Sequence, residues 1–142
     1  MVKVELKEIA VASDGSYALV LLMTESGEIV PISVDLVQAR AITIGRAEEK
    51  PTRPLTHDLL LNTLTALNAK LIRVEITELK DGTYYSHLLI ENRGIEFEID
   101  ARPSDAIALA VRQKADIYVS KEIIEHNSLV EDMSYLSGAA EA

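Results

Sequence analysis

The sequence predicts an α+β fold made of internally duplicated β-β-β-α units, which form antiparallel meanders with helices packed on them and one extra inserted helix. Three observations predict this fold: an internal repeat, two Asp-Gly turn signals, and apolar residues at helical spacing beyond the repeated strands. The chain has 142 residues, of which 48% are hydrophobic, and this size is typical of one domain with its own core.

The internal repeat is found by shifting the sequence by 67 positions, which aligns residues 14–44 with residues 81–111. The identities fall on turn glycines and apolar positions, so they indicate a repeated structure. They pair Asp14 with Asp81, Gly15 with Gly82, Tyr17 with Tyr84, Leu21 with Leu88, Leu22 with Leu89, Gly27 with Gly94, Ile32 with Ile99, Ala39 with Ala106 and Ala41 with Ala108. We predict one domain over 1–130, with copies at about 4–45 and 72–114, an insert at 46–71 and a flexible tail at 131–142.

Each copy is expected to begin with three strands. The first strand alternates apolar and polar residues, with a slip in register between Leu6 and Ile9 in the first copy. The Asp-Gly pairs at 14–15 and 81–82 then indicate hairpins, and a glycine marks the next turn in both copies. The third strands are "IVPISV" and "IEFEID".

Helices are predicted to close both copies, over 35–44 and about 104–114. The insert is expected to hold a helix over about 56–68, because its leucines recur at helical spacing. After the second copy, "DIYVS" is predicted as a short strand and "KEIIEHN" as a short helix.

Composition excludes several classes of function. The chain has no cysteine, which excludes disulfides, thiolate zinc sites and a cysteine nucleophile. Its formal charge of −9 argues against tight non-specific binding of nucleic acid through a basic face, although divalent metals can supply local positive charge. The N-terminus alternates polar and apolar residues, and no apolar run is long enough to span a bilayer, so we expect a soluble cytoplasmic protein without membrane contact.

Two short stretches share an unusual sequence pattern: "RPLTHDLL" at 53–60 and "RPSDAIAL" at 102–109. Helix starts explain part of it, because proline suits the first turn and a hydroxyl or carboxylate caps the free N–H groups. Thr56 is the expected N-cap of the first helix, and Ser104 or Arg102 that of the second. Capping does not explain Arg53 or His57, so a purely structural interpretation and a polar site both stay open.

Acidic residues near these helix starts suggest a metal site. In "IEFEID" the apolar residues face one way and the acids the other, and Asp100 ends the strand just before the second helix. Together with Asp58 and Asp105, it could supply oxygen ligands to Mg²⁺ or Mn²⁺. His57 could act as a general base or a metal ligand, whereas His87 is interpreted as structural or exposed.

With these residues described, the chain resembles the bifunctional nuclease domain family over nearly the whole of 1–130. "RPLTHDLL" and "DARPSDAIALAVR" are similar to its two signature stretches, and "VDLVQARAI" to a weaker third. The resemblance implies a nuclease, since plant members are described as cutting both DNA and RNA. The site residues that it implies are Arg53, Thr56, His57, Asp58, Asp100, Arg102, Ser104 and Asp105.

The first functional hypothesis is a metal-dependent phosphodiesterase that acts on RNA or DNA. Asp58, Asp100 and Asp105 would hold Mg²⁺ or Mn²⁺, which polarises the phosphate and activates water. Arg53 and Arg102 would bind phosphate oxygens with help from Thr56 and Ser104. His57, Asp58 and Asp105 would be the catalytic residues.

The second hypothesis is a non-catalytic oligomeric binding or regulatory module. Arg53 and Arg102 would then pair with Asp105 and Asp58 across the helix starts as a structural latch, or would bind a small anion. A buried, fully paired cluster would favour the latch, and an open cleft with unpaired carboxylates would favour chemistry. Under either hypothesis we expect a homodimer, because two meanders leave strand edges that must be covered or paired.

Overall fold

The computed structural model describes residues 1–129 and the backbone of 140–141. The first copy consists of β1 (Val2–Val11), β2 (Ala18–Thr24), β3 (Ile29–Val34) and α1 (Leu36–Arg46). The second consists of β4 (Ala69–Lys80), β5 (Thr83–Asn92), β6 (Ile95–Ala101) and α3 (Pro103–Gln113). The remaining elements are α2 (Thr56–Ala66) in the insert, then β7 (Asp116–Val119), α4 (Lys121–Asn127) and β8 (Ala140–Glu141). The predicted duplicated α+β fold is confirmed, and α1 and α3 differ by the repeat shift at both ends.

The strands form one curled, mixed sheet in the order β4-β7-β1-β2-β3-β8-β5-β6, and β4 also pairs with β5. Strands β1 to β3 and strands β4 to β6 are the two antiparallel meanders. Strand β7 joins them, because it runs antiparallel to β1 and parallel to β4. The two copies therefore share one sheet and one core.

Turns and irregularities occur where the sequence indicates them. Gly15 and Gly82 have positive φ angles of 73° and 76°, which suit glycine in a tight hairpin turn. The predicted slip in the first strand is confirmed, since the pairing of β1 with β2 shifts between Leu6 and Glu8. Such a bulge lets one strand keep its apolar residues on the core side after an odd step.

Helix α3 is the most enclosed helix of the molecule as described, and it positions the site. It contacts α1, α2, β4, β5 and β7. Its buried residues are Pro103, Ser104, Ala106, Ile107, Ala108, Leu109 and Ala110. Small alanines let neighbouring elements approach closely, while Ile107 and Leu109 fill the core. The start of α3 is thus held by a rigid scaffold.

Helix α2 is much more exposed and buries only Leu61. It begins at Thr56 and ends at Ala66, two residues before the predicted end. The expectation that Thr56 is its N-cap is wrong, because Leu55 occupies that position and Thr56 is the first helical residue. The Asp58 carboxylate accepts a hydrogen bond from the Leu55 backbone N–H at 2.8 Å, so the acid in the first turn takes over the capping role.

Arg102 is the N-cap of α3, one of the two residues expected there, and Pro103 is the first helical residue. No side-chain hydrogen bond caps this helix. Helix α1, by contrast, has a capping box in which Asp35 and Gln38 satisfy each other's backbone N–H groups. The two equivalent helices therefore begin in different ways, and the start of α3 keeps more of its N–H groups for other partners.

Strand β6 lies at the end of the sheet, with β5 as its neighbour. Phe97 and Ile99 are 47% and 45% exposed, although the equivalent Val30 and Ile32 of the first copy are fully buried beneath a region where α4 packs on β3. The predicted tail at 131–142 lies outside the described residues, apart from the two residues of β8, which pair with β3 and β5. Within residues 1–129 and 140–141, no helix is long and apolar enough to cross a membrane.

Candidate functional site

The two Arg-Pro stretches come together at the starts of α2 and α3. His57 Nε2 lies 2.8 Å from Asp105 Oδ1, across 48 positions of sequence. Arg102 donates from Nε to the other carboxylate oxygen of Asp105, at 2.9 Å. We call these three residues the helix-start cluster.

The helix-start cluster is paired but open to solvent. The side chain of His57 is 18% exposed, that of Asp105 34% and that of Arg102 61%. Burial acts to raise the pKa of Asp105, but the hydrogen bonds from Arg102 and His57, together with their charges, outweigh it and hold this pKa below its ordinary value. Asp105 therefore stays ionised and can orient the imidazole.

The hydrogen bond to Asp105 assigns the tautomer of His57. An ionised carboxylate accepts only, so Nε2 carries the hydrogen and Nδ1 is left as the basic nitrogen of the neutral ring. The starts of two helices also add partial positive charge, which favours an anion beside them. A phosphate bound there would lie next to a base and a guanidinium.

Asp58 lies next to this cluster but has a different partner. Its Oδ1 accepts a hydrogen bond from Arg112 Nε at 2.9 Å, while Oδ2 accepts the Leu55 N–H. Burial acts to raise the pKa of Asp58; the Leu55 hydrogen bond, Arg112 and the charge of Lys50 outweigh it, so this pKa is lowered. Both oxygens of Asp58 are thus engaged in fixing the first turn of α2.

Arg112 was not singled out from the sequence, yet it is the most buried ion-pair partner beside the site. Its side chain is 4% exposed, and Nη1 donates to the backbone carbonyls of Ala41 and Ala108 at 2.9 and 2.8 Å. The absence of a side chain at Gly45 makes room for it, since a Cβ there would lie 2.4 Å from Arg112 Nη1. One signal existed in the sequence: the repeat shift aligns Arg112 with Gly45, so a large residue in one copy faces the smallest one in the other.

The remaining site residues of the sequence analysis are placed less closely. Arg53 is exposed just before α2, and Thr56 is exposed at the first position of that helix. Ser104 is buried, and its hydroxyl has no hydrogen-bond partner among the described residues. Asp100 lies on β6, where its cross-strand partner is His87 of β5. None of the hydrogen bonds or ion pairs found within 1–129 joins Asp100 to the helix-start cluster.

The predicted metal ligands Asp58, Asp100 and Asp105 do not converge on a common point through the contacts that they make. Within the part of the chain that the structure describes, no group of three or more His, Asp and Glu side chains is arranged to hold a metal ion. Asp58 and Asp105 direct their oxygens to two arginines, a histidine and a backbone N–H instead. The side chains as they stand do not fit a metal ion at Asp58, Asp100 and Asp105, and that metal site stays a prediction.

A second group with the same contacts lies on the outer face of the sheet. His87 Nε2 lies 2.6 Å from Glu75 Oε1, and Arg73 Nε donates to Glu75 Oε2 at 2.8 Å. The guanidinium of Arg73 also lies over the ring of Tyr118, 5.8 Å from its centroid. We call Arg73, Glu75 and His87 the sheet cluster.

Comparison with known proteins identifies the family. The model of the bifunctional nuclease domain matches residues 19–132, which include α2, α3 and both Arg-Pro stretches. The chain belongs to the bifunctional nuclease domain family. The resemblance described from the sequence is therefore confirmed.

Two kinds of relative are similar to this chain. An uncharacterized protein of Mycobacterium tuberculosis is 34% identical over 113 residues, covering 78% of this chain and 67% of the relative. Bifunctional nuclease 1 of Oryza sativa subsp. indica is 29% identical over 117 residues, covering 80% of this chain and 35% of the rice protein. The chain thus spans about a third of the rice nuclease, so the activity of that whole protein is not transferred by the match alone.

Proposed function

We propose that this bifunctional nuclease domain hydrolyses phosphodiester bonds of RNA or DNA at the helix-start cluster. The observation that carries the proposal is the 2.8 Å contact between His57 Nε2 and Asp105 Oδ1, which leaves a basic ring nitrogen beside an exposed arginine. The family match and the name of the rice relative support this class of reaction.

Binding is assigned to the arginines and the helix starts. Arg102 uses Nε for Asp105, so its two Nη groups can donate to phosphate oxygens in the planar geometry that guanidinium favours. Arg53 is exposed one turn before α2 and adds a second cation. Thr56 can donate its hydroxyl to the same phosphate, whereas Ser104 would reach it only after a local movement, because its hydroxyl is buried.

Proton transfer is assigned to His57. Its Nδ1 would accept a proton from the attacking water as the new oxygen–phosphorus bond forms. The leaving oxygen would take a proton from solvent as its bond to phosphorus breaks, and the imidazolium would then return its proton to solvent. Asp105 keeps the imidazole in the required tautomer and stabilises the imidazolium. Arg102 and the helix starts would stabilise the added negative charge on phosphorus oxygens.

Whether cleavage requires a divalent metal is to be measured by varying the metal in the assay. Mg²⁺ or Mn²⁺ would supply Lewis acidity and further positive charge. Binding by Asp58 and Asp105 would require both carboxylates to leave their present partners, so no step is assigned to the metal.

The direct experiment measures cleavage of labelled single-stranded RNA, single-stranded DNA and duplex DNA by the purified protein, with EDTA, Mg²⁺ or Mn²⁺. His57→Ala should lower kcat by about 100-fold or more, in the usual range for loss of a general base. His87→Ala is the matched control, because it removes the histidine from identical contacts in the sheet cluster, and it should retain wild-type activity. Equal cleavage by wild type and His57→Ala would contradict the assignment.

A structural latch is the second candidate, and one observation favours it. The oxygens of both Asp58 and Asp105 are paired as they stand. In that case the wild-type protein would cleave none of the three substrates, and Asp105→Asn would lower the melting temperature. The exposure of Arg102 favours the nuclease, because a guanidinium that serves only as a latch has no need to face solvent.

The expected homodimer also stays a proposal. Among the described residues, only β5 pairs with β6, and the apolar row of Ile95, Phe97 and Ile99 on β6 is exposed, as a surface for a second copy would be. Light scattering should give twice the chain mass of 15.6 kDa, and Phe97→Glu should lower it to one chain mass. A monomer mass for the wild type would contradict the proposal.

A further inference from the structure

We infer that Arg112 is a positioning residue for the functional site, because it fixes the first turn of α2 so that His57 meets Asp105. The claim rests on the proposed function only in treating His57 as the reacting base. Its geometric part concerns where the imidazole lies, whatever the reaction.

The first step of the argument is the placement of two contacts on α3. His57 and Asp58 are neighbours in the first turn of α2, but their partners Asp105 and Arg112 are seven residues apart on α3. At 1.5 Å per residue these partners are separated by about 10 Å along the helix. The start of α2 is therefore held at two separate points, which fixes its rotation as well as its position.

The second step is that one of these contacts is buried and the other is exposed to solvent. Arg112 has a side chain only 4% exposed and donates to carbonyls of α1 and α3 as well as to Asp58. Arg102, in contrast, is exposed, and the His57–Asp105 contact lies at the surface. Since α2 buries only Leu61 of its own, apolar packing holds this helix weakly, and the buried arginine contact is a restraint that solvent does not weaken.

The third step is that the packing around Arg112 fixes the position of its guanidinium. Gly45 of α1 leaves the space that the guanidinium fills, and a Cβ at that position would also lie 2.9 Å from Arg112 Cζ. Arg112 thereby links α1, α2 and α3. A displacement of its guanidinium should be transmitted to Asp58 and then to the adjacent His57.

The test uses the imidazole signals of His57 in long-range ¹H–¹⁵N NMR spectra, which report the tautomer. The chain has three histidines, so His87 and His126 serve as internal controls in each spectrum. In the wild type His57 should show the form with hydrogen on Nε2. In Arg112→Met, which keeps the length of the side chain without its charge or donors, the preference should be lost, while the signals of His87 and His126 stay unchanged.

Two further variants separate positioning from general damage. Gly45→Ala should disturb the His57 signals in the presence of Arg112 and should add nothing in the Arg112→Met background, because the clash partner is then gone. Leu109→Ala, a core change on the same helix, should lower the melting temperature without moving the His57 signals. If Arg112→Met fails to fold, Arg112→Lys and Gly45→Ala carry the test.

The outcomes distinguish this inference from the proposed function. Unchanged His57 signals in both Arg112→Lys and Gly45→Ala would overturn the positioning role, even if His57→Ala abolishes cleavage. A different result is that the His57 signals change in these variants while His57→Ala cleaves at the wild-type rate. That result would support the positioning role and contradict the nuclease assignment. In an active enzyme we expect Arg112→Lys to lower kcat about tenfold, with KM for the oligonucleotide changed less than twofold.

Discussion

The helix-start cluster and the sheet cluster have the same contacts, but they lie on different elements of the fold. In each, a histidine Nε2 and an arginine Nε share one carboxylate at 2.6–2.9 Å. The helix-start cluster lies at the N-termini of two helices. The sheet cluster lies on a sheet face with acidic residues of β6, since Asp100 is the cross-strand partner of His87.

The proposed function therefore requires that charge, and not the contact pattern alone, distinguish the two clusters. The hydrogen bond and charge of Glu75 raise the pKa of Arg73, and the nearby charge of Glu96 raises it further. Glu98 and Asp100 follow on the same face of β6. The hydrogen bond and charge of Asp105 raise the pKa of Arg102, and the charge of Asp35 raises it further, so an acid lies near the helix-start cluster too. The row of three acids on β6 should repel a polyanion more strongly, whereas the helix starts add partial positive charge.

The largest effect expected from this comparison concerns charge reversal at the two arginines. Arg102→Glu should lower kcat/KM for an oligonucleotide by about 1000-fold, because it removes a phosphate donor and places an anion beside the substrate. Arg73→Glu is the matched change in the sheet cluster and should lower it less than threefold. Initial rates at substrate concentrations well below KM measure both, and equal losses would remove the distinction between the clusters.

A smaller effect is expected on stability when each region loses its carboxylate. Asp58→Ala leaves the buried Arg112 without its counter-charge and should lower the free energy of unfolding by about 3 kcal/mol. Glu75→Ala leaves partners that are more exposed and should cost about 1 kcal/mol. Urea denaturation followed by circular dichroism measures both values. A larger loss for Glu75→Ala would show that the sheet cluster is the stronger restraint.

The dependence of stability on pH should be shared by both regions. Burial acts to raise the pKa of Glu75, but Arg73 and His87 outweigh it, so Glu75, like Asp58 and Asp105, titrates below its ordinary value. A lowered folded-state pKa stabilises the fold above the ordinary values of 3.8 for aspartate and 4.5 for glutamate, and this contribution is lost as the pH falls through the lowered values.

We therefore expect the melting temperature of the wild type to fall as the pH is lowered from about 5 to about 2. Asp58→Asn and Glu75→Gln should each flatten that fall, because the removed carboxyl no longer takes up a proton on unfolding. Differential scanning calorimetry across this range measures the slope. A steeper slope in either variant would contradict the lowered pKa at that position.

The smallest effect is expected at the aromatic neighbour of the sheet cluster. Tyr118→Leu removes the ring beneath Arg73 and should cost about 0.5 kcal/mol, because a partly exposed cation–π contact is weak. The same urea series measures it, with cleavage activity as the second readout. A clear loss of activity in this variant would mean that the sheet cluster takes part in function.

Much of the fold could be predicted from the sequence, because strands and turns are encoded locally. The repeat shift located α1 and α3, and the alternation broken between Leu6 and Ile9 located the bulge in β1. The N-cap of α2 was misplaced because Leu55, which occupies that position, has no capping side chain, whereas Thr56 and Asp58 both have one. Which of them accepts the first free N–H depends on the path of the preceding loop.

The site could be predicted only in part, because its contacts join distant segments. "RPLTHDLL" and "RPSDAIAL" pointed to His57, Arg102 and Asp105, which do meet. Nothing local in the sequence marks Arg112, since an arginine in the last turn of a helix is normally solvated. Its burial depends on the space at Gly45, 67 positions away, and only the tertiary packing of α1 on α3 creates that space.

The meeting of Gly45 and Arg112 has a consequence for how such a duplicated chain can arise. Gly45 and Arg112 are equivalent positions of the two copies, and they lie against each other. If two identical half-length chains met through this position, the interface would bring together either two glycines, which leaves a hole, or two arginines, whose charges repel. In a single chain the two positions can differ, so one copy supplies the space and the other supplies the guanidinium that fills it.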